Sequence, residues 1–246
     1  MRSAIPILLV LAAACSVTPL RQSTNPAAPS FDVEHSDPRA IAIADEVMEA
    51  LGGRAAWDAT RCLEWTFAGR RTLLWDKQAH DLRLDEGRRV VLMDLDTGEG
   101  RVYEDGRPVE DPAARRDALD HAYKAWVNDS YWLLAPYKLK DSGVRLGLAG
   151  ERTLPGGRTC DVLRVEFDNV GVTPDNAYEL CVTRDTHRVV QWSYFEHRDD
   201  AEPTMTTPWD GWRRYGRIWL AGDHGQGPAI TAIAVHDEPP ERLYQP

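Results

Sequence analysis

Beyond residue 61 the hydrophobic period of the chain is two, and this restricts the fold more than any other feature. Leu63, Trp65 and Phe67 alternate with Cys62, Glu64 and Thr66, so an extended backbone puts the three large apolar side chains on one face. The alternation returns in short segments around Leu73 to Trp75, Leu82 to Leu84, Val90 to Leu95 and Val102 to Tyr103, separated by polar or glycine-containing turns. Thr97-Gly98 and Asp105-Gly106 are pairs suited to tight hairpins. Strands resume through Val144 to Leu148, Cys160 to Phe167, Tyr178 to Val182, Val189 to Phe195, Arg217 to Leu220 and Ile230 to Val235. In three of these, Leu163, Val165 and Phe167, then Tyr178, Leu180 and Val182, then Val190, Trp192 and Tyr194, form one apolar, aromatic-rich face.

Two helical regions interrupt the strands. Asp37 is an N-cap before Pro38, and Ile41, Ala44, Val47, Met48 and Leu51 form a stripe that Gly52-Gly53 closes. A short helix over Ala55 to Ala59 follows, with Trp57 turned inward. Asp111-Pro112 opens the second region, in which Leu119, Ala122, Tyr123 and Trp126 recur at helical spacing. Asn128-Asp129-Ser130 then reads as a new cap before Tyr131 to Ala135, which Pro136 stops. About ten strands with two helical regions predict an α+β fold: a curled antiparallel sheet forming an incomplete half-barrel, its concave face covered by the helices. The interior of such a half-barrel is either a packed core or an apolar cavity.

The nine tryptophans of this 246-residue chain suit either interior, because rings of that size serve large cores and hydrophobic sites alike. With 43% hydrophobic and 28% charged residues, the composition excludes a disordered or multi-span membrane protein. The net charge of −10, with no basic run interleaved with aromatics, argues against nucleic acid as a partner.

The N-terminus is organised as an export signal: Met-Arg-Ser, an apolar run from Ala4 to Leu11, then Ala12-Ala13-Ala14 before Cys15. Small residues directly before a cysteine resemble a bacterial lipoprotein signal, although Ala12 stands where such signals usually carry Leu. The resemblance implies a signal peptide over residues 1–14 and lipidation of Cys15 by palmitate-type acyl chains. The alternative is an ordinary secretory peptide followed by an unrelated cysteine. Residues 15–37, rich in Pro, Ser, Thr, Ala and Asn, read as the lipidated cysteine and a flexible tether, leaving 38–246 as the folded domain. Membrane attachment then runs through the lipid, since an acidic chain is not drawn to an anionic surface. Ser16 after the anchor cysteine implies, by the same resemblance, the outer membrane facing the periplasm.

Three further cysteines are Cys62, Cys160 and Cys181, so an oxidising compartment allows one pair. Strand alternation puts Cys160 and Cys181 on the polar side of neighbouring strands, where a bridge between them is one reading and three free thiols the other. No Cys or His pair has metal-ligand spacing, and His121, His187 and His197 read as solvated. Asp94-Leu95-Asp96-Thr97-Gly98 opens like a calcium loop, but its glycine falls one position early and Asp105 stands where a bidentate Glu is needed, so it reads as a hairpin turn. Gly222 to Gly227 reads as a loop. Ser130 lacks a flanking glycine elbow, and carboxylate pairs such as Asp199 and Asp200, or Glu110 and Asp111, read as solvated surface. The sequence therefore nominates no catalytic residue, no metal and no cofactor.

A set of longer motifs resembles a known group. Trp75-Asp76, the run Asn128-Asp129-Ser130-Tyr131-Trp132-Leu133-Leu134 with Pro136 and Tyr137-Lys138-Leu139, Asp141 and Gly143, Asp161-Val162-Leu163, Phe167-Asp168, Val170-Gly171-Val172-Thr173-Pro174, and Pro208-Trp209 with Trp212 and Tyr215-Gly216 resemble an uncharacterised family of bacterial exported proteins. That family is similar in fold to the LolA/LolB outer-membrane lipoprotein carriers. The resemblance spans about residue 40 to residue 236 and implies an incomplete antiparallel barrel with a helical lid, whose interior accepts acyl chains.

The candidate ligand-binding residues are Trp65, Phe67, Trp126, Tyr131, Trp132, Leu134 and Trp192. Each is either a cavity wall or core packing. Three functions follow: a lipid-anchored envelope protein holding a lipid, an acyl chain or another hydrophobic small molecule; an envelope hydrolase with carboxylates near the cavity rim; or a structural domain with a filled core that binds a partner through its surface. The sequence names no protein partner.

Overall fold

The computed structural model describes residues 24–168 and 175–246. The expected signal peptide, Cys15, the start of the expected tether and the Val170 to Pro174 run lie outside the described residues.

Helix α1 (Pro38–Ala50) starts as its sequence requires: the Asp37 carboxylate accepts from the Arg39 and Ala40 amides, and Pro38 occupies the first turn. Its inward face is Ala40, Ile43, Ala44, Val47 and Met48. After α2 (Arg54–Ala59) come β1 (Cys62–Phe67), β2 (Arg71–Asp76), β3 (Asp81–Glu86), β4 (Arg89–Asp94), β5 (Gly100–Glu104) and β6 (Arg107–Pro108). They form the expected antiparallel meander. Asp105 and Gly106, with φ of 51° and 72°, make the left-handed pair that a two-residue hairpin demands. Asp94 acts as a turn residue, its carboxylate accepting from the Asp96 and Thr97 amides.

Helix α3 (Pro112–Leu134) then carries the chain to β7 (Val144–Thr153), β8 (Thr159–Phe167), β9 (Ala177–Thr183), β10 (Val189–Phe195) and β11 (Met205–Pro208). A small hairpin, β12 (Arg213–Tyr215) and β13 (Ile218–Leu220), precedes β14 (Ile230–His236). Among the described residues fourteen strands occur in place of about ten, and they form separate sheets rather than one. The order is β14-β1-β2-β3-β4-β5-β6 in the first sheet and β11-β10-β9-β8-β7 in the second. The break falls where 23 residues of helix separate β6 from β7, which interrupts the hydrogen-bonded ladder. Both sheets curl without closing. Their inner faces share one core with α1 and α3, running from Val47 through Trp65, Leu84 and Leu133 to Leu163, Leu180 and Trp209.

Four local expectations are corrected. Asn128-Asp129-Ser130 does not cap a new helix; α3 runs through it unbroken. Asp129 is fully buried and its carboxylate takes two hydrogen bonds from the Arg71 guanidinium, at 2.6 and 2.7 Å, so it serves β2 and not the helix backbone. The described end of the stretch expected to be a tether is not free. Phe31 is buried, Gly143 N donates to Ser30 O (2.7 Å), Asp32 N to Val144 O (3.0 Å) and Asp37 N to Leu146 O (2.8 Å), so this segment covers the outer edge of β7. An edge strand carries unpaired backbone groups, and the segment satisfies them. In β10 the register shifts between Val189 and Gln191, which puts Val189 in the main core and turns Val190 outward. Finally, the outer face carrying Cys160 and Cys181 is polar at Arg164, Glu166 and Glu179, as expected, but apolar around the cysteines themselves. The two are joined by a disulfide with a Cα–Cα distance of 5.5 Å, and both are buried with Val162 beneath Leu154 and Val190. Cys62 is a free, buried thiol packed with Leu74 and Leu243.

Candidate functional site

The site is built by the C-terminal half of α3 and the inner face of the second sheet. In its first half α3 sits directly on β4 and β5 through Ala118, Ala122 and Ala125. Leu119 packs where Gly100 has no side chain; a Cβ there would stand 2.7 Å from the Leu119 methyl. Towards its C-terminus the helix carries Trp126, Tyr131 and Trp132, too large for so close an approach. Trp126 meets Trp75 edge-on at 5.4 Å between centroids. Tyr131 faces Tyr178 at 5.1 Å and Phe167 at 5.9 Å, while Trp132 meets Trp192 at 4.5 Å. Tyr178 stacks on Trp192 at 5.0 Å, continuing the row across β9 and β10.

Beneath these rings lies a cavity of about 560 Å³. Its apolar wall is Trp126, Val127, Tyr131, Trp132, Val144, Phe167, Tyr178, Trp192 and Tyr194. Its polar groups are Asn128, Ser130, Ser142, Asn176, Lys124, Lys138 and Asp141, with Tyr123 beside them. A volume of this size and a mainly aromatic wall with few polar groups is the usual form of a small-molecule site. Burial pushes the phenol pKa values of Tyr131 and Tyr178 up, so both rings stay neutral. Asn176 donates to the Tyr194 hydroxyl at 2.7 Å and orients that ring. The indole N–H groups of Trp126 and Trp192 are buried without a hydrogen-bond partner among the described residues.

A second cavity of about 230 Å³ adjoins the first, and Trp126, Ser130, Lys138 and Asp141 belong to both walls. Its remaining wall is Trp57, Trp75, Lys77, Leu134 and Tyr137. Here Tyr137 stacks on Trp57 at 4.4 Å, and the Lys77 ammonium lies 4.1 Å from the centre of the Trp57 ring and donates to the Trp57 carbonyl at 2.8 Å. Burial lowers the Lys77 pKa to about 8. Tyr137 is itself held by hydrogen bonds from its hydroxyl to the Leu51 and Trp219 carbonyls, tying α1 and β13 to the site.

Behind Trp132 lies an aromatic box that contains a histidine. His224 is buried, 5.3 Å from Trp132 and 4.6 Å from Trp209 between ring centres, and its Nε2 has no partner among the described residues. Burial lowers its pKa, and neighbouring Asp223 does not offset this.

Of the residues nominated from sequence, Trp126, Tyr131, Trp132 and Trp192 line the larger cavity, and Leu134 lines the smaller. Trp65 and Phe67 line neither; both are buried in the core of the first sheet. The sequence reading passed over Phe167, Tyr178 and Tyr194 as site residues, although their alternation placed them on the right face, and over Lys77, Lys138 and Asp141. Their roles depend on which element crosses that face. Among the described residues no group of His, Cys, Asp and Glu is arranged to hold a metal ion. No described helix is long and apolar enough to cross a membrane.

The fold thus defines an open, curled antiparallel half-barrel with an internal helix. No protein-family model and no curated relative matches the chain. Solved structures similar to it include a DUF1329 family protein from Desulfovibrio piger, 12% identical, covering 85% of this chain and 97% of that one with a TM-score of 0.41. A putative outer membrane lipoprotein-sorting protein domain from Vibrio parahaemolyticus is also 12% identical, with 84% and 96% covered and a TM-score of 0.43. A LolA superfamily protein from Nitrosomonas europaea is 8% identical, with 82% and 97% covered and a TM-score of 0.33. The functional reading below rests on this chain's own residues.

Proposed function

We propose that this chain is a lipid-anchored protein of the bacterial envelope, tethered through Cys15, that holds the apolar part of a lipid, an acyl chain or a similar hydrophobic molecule in the half-barrel. The observation that supports this reading is the cavity of about 560 Å³ walled by Tyr131, Trp132, Phe167, Tyr178 and Trp192. A filled half-barrel acting only through its surface leaves no such space. The ionisable groups on its rim favour binding over hydrolysis: Lys124 is paired with Asp120 at 2.7 Å, and Asp141, the one carboxylate among the described residues of the wall, is paired with Lys138.

Native mass spectrometry of residues 16–246, purified from cells without detergent, tests the reading. The expected result is additional mass that dissociates as an acyl-chain species. Bare protein that also fails to bind a displaceable hydrophobic probe would overturn it. The anchor is tested separately in the full chain: radiolabelled palmitate is expected to be incorporated and to be lost in Cys15→Ser, and labelling that survives that change would refute lipidation at Cys15.

A further inference from the structure

The two cavities differ in character while sharing a wall, and their ionisable groups are biased in sign. In a chain of net charge −10, the ionisable side chains named in the two walls, tyrosines aside, are Lys77, Lys124, Lys138 and a single carboxylate, Asp141. The larger cavity is a box of rings. The smaller one holds Lys77 and Lys138 at its wall, and Lys138 together with Asp141, Trp126 and Ser130 forms the boundary where the two meet.

Resting on the reading that the larger cavity holds an apolar chain, we infer that the ligand is a single-chain anionic amphiphile, its tail among the rings of the larger cavity and its carboxylate or phosphate head in the smaller one against Lys138 and Lys77. Three features support this. The Lys77 stem is pinned between β2 and α2 by the Trp57 ring and carbonyl, so its ammonium is held in place before any ligand arrives and little side-chain freedom is lost on binding. Burial disfavours its charge, and an arriving anion would restore it. Lys138 is about one-third exposed and, among the described residues, its ammonium is paired with Asp141, so a head group can share Lys138 with that carboxylate or replace it. A neutral head could accept a hydrogen bond from either lysine but would balance neither charge, and a cationic one would be repelled by both.

The test is a series of tetradecyl probes of identical chain length, used below their micellar concentrations, with binding to the intact domain read from quenching of tryptophan fluorescence: tetradecanoate, tetradecyl phosphate, 1-tetradecanol and tetradecyltrimethylammonium. The expected result is that both anions bind about tenfold or more tightly than the alcohol, the gain of a charge-assisted hydrogen bond out of bulk water. The order of the two anions tells a fatty-acid head from a phosphate head. Lys138→Met and Lys77→Met, which keep the apolar stems, should each shrink that preference, read as the ratio of anion to alcohol affinity within each variant; Asp141→Asn should enlarge it by removing the competing carboxylate. Equal binding of alcohol and anions by the wild-type domain would overturn the inference and leave the hydrophobic site intact. Tightest binding of the ammonium probe, or an anion preference that survives both lysine changes, would also overturn it. Failure of all four probes would overturn the hydrophobic site itself. Because the head-group series is run on the wild-type domain, the outcome does not depend on the variants folding.

Discussion

Ala118, Ala122 and Ala125 set one stretch of α3 flat on β4 and β5, whereas within two further turns Tyr131 and Trp132 hold the same helix away from the second sheet, and Trp126 between them meets Trp75 of the first. In the first stretch the small side chains let the helix come close to the sheet, as Leu119 over Gly100 shows, and Ala118, Ala122 and Ala125 line neither cavity. In the second, large rings meet other rings edge-on or tilted, a geometry that leaves space between them. The difference teaches that aromatic content alone does not fill an interior. Shape decides, and here the more aromatic half is the hollow one. Between the halves stands Arg71–Asp129, which clamps the helix to β2 at the point where packing changes character.

Breaking that clamp should have the largest effect. Asp129→Ala removes both short hydrogen bonds of the part-buried Arg71 guanidinium and leaves it only the longer pair to Glu86 at 3.6 Å, and is expected to cost up to about 3–5 kcal/mol in urea denaturation. The paired replacement of Arg71 and Asp129 by Met and Leu should recover much of it, and a single variant costing under about 1 kcal/mol would show that the clamp does not hold α3. Next comes a direct comparison of two tryptophans. Trp65→Ala empties a fully packed site and should cost about 3–5 kcal/mol. Trp132→Ala enlarges a space that already exists, so its cost should be clearly smaller while probe binding changes; equal costs would mean that the second half is packed as tightly as the first. Ala122→Leu overpacks the flat half and should cost about 1–3 kcal/mol without altering probe affinity. An affinity change in that variant would mean that the halves are coupled through the helix.

The smallest expected effect concerns pH. Burial holds the His224 pKa in the folded state below its ordinary value of 6.5. Below about pH 6.5 the unfolded chain therefore takes up more protons than the folded one, and stability falls as acid is added until the folded-state pKa is reached. Above that window His224 contributes no pH dependence. Denaturation midpoints compared at pH 7.5 and 5.5 should fall more in the wild type than in His224→Leu. Equal falls would exclude a buried, neutral His224.

What was legible in the sequence was local. Asp37-Pro38 begins α1 because its carboxylate reaches amides two and three residues away, and Asp105-Gly106 turns because its own φ angles allow it. Asn128-Asp129-Ser130 has the same composition as a cap and failed as one, because Asp129 answers to Arg71, 58 residues earlier. Nothing near Asp129 carries that information. Val190 was assigned to the inner face by strict alternation, and a single bulge moved Val189 there instead. The Pro- and Ser-rich stretch before α1 has the composition of a tether, yet its later part is held by the free edge of β7, which only the assembled sheet presents.

The hydrophobic period, the caps and the turn residues were thus enough to determine an α+β chain of antiparallel strands with helices on the inner face, since each is set by neighbours within a few bonds. Whether that interior is filled or hollow was decided by tertiary structure alone. The cavity exists because α3 crosses two sheets at once, close to one through alanines and distant from the other through rings, and a crossing of that kind is a relation between segments that no single stretch of sequence contains.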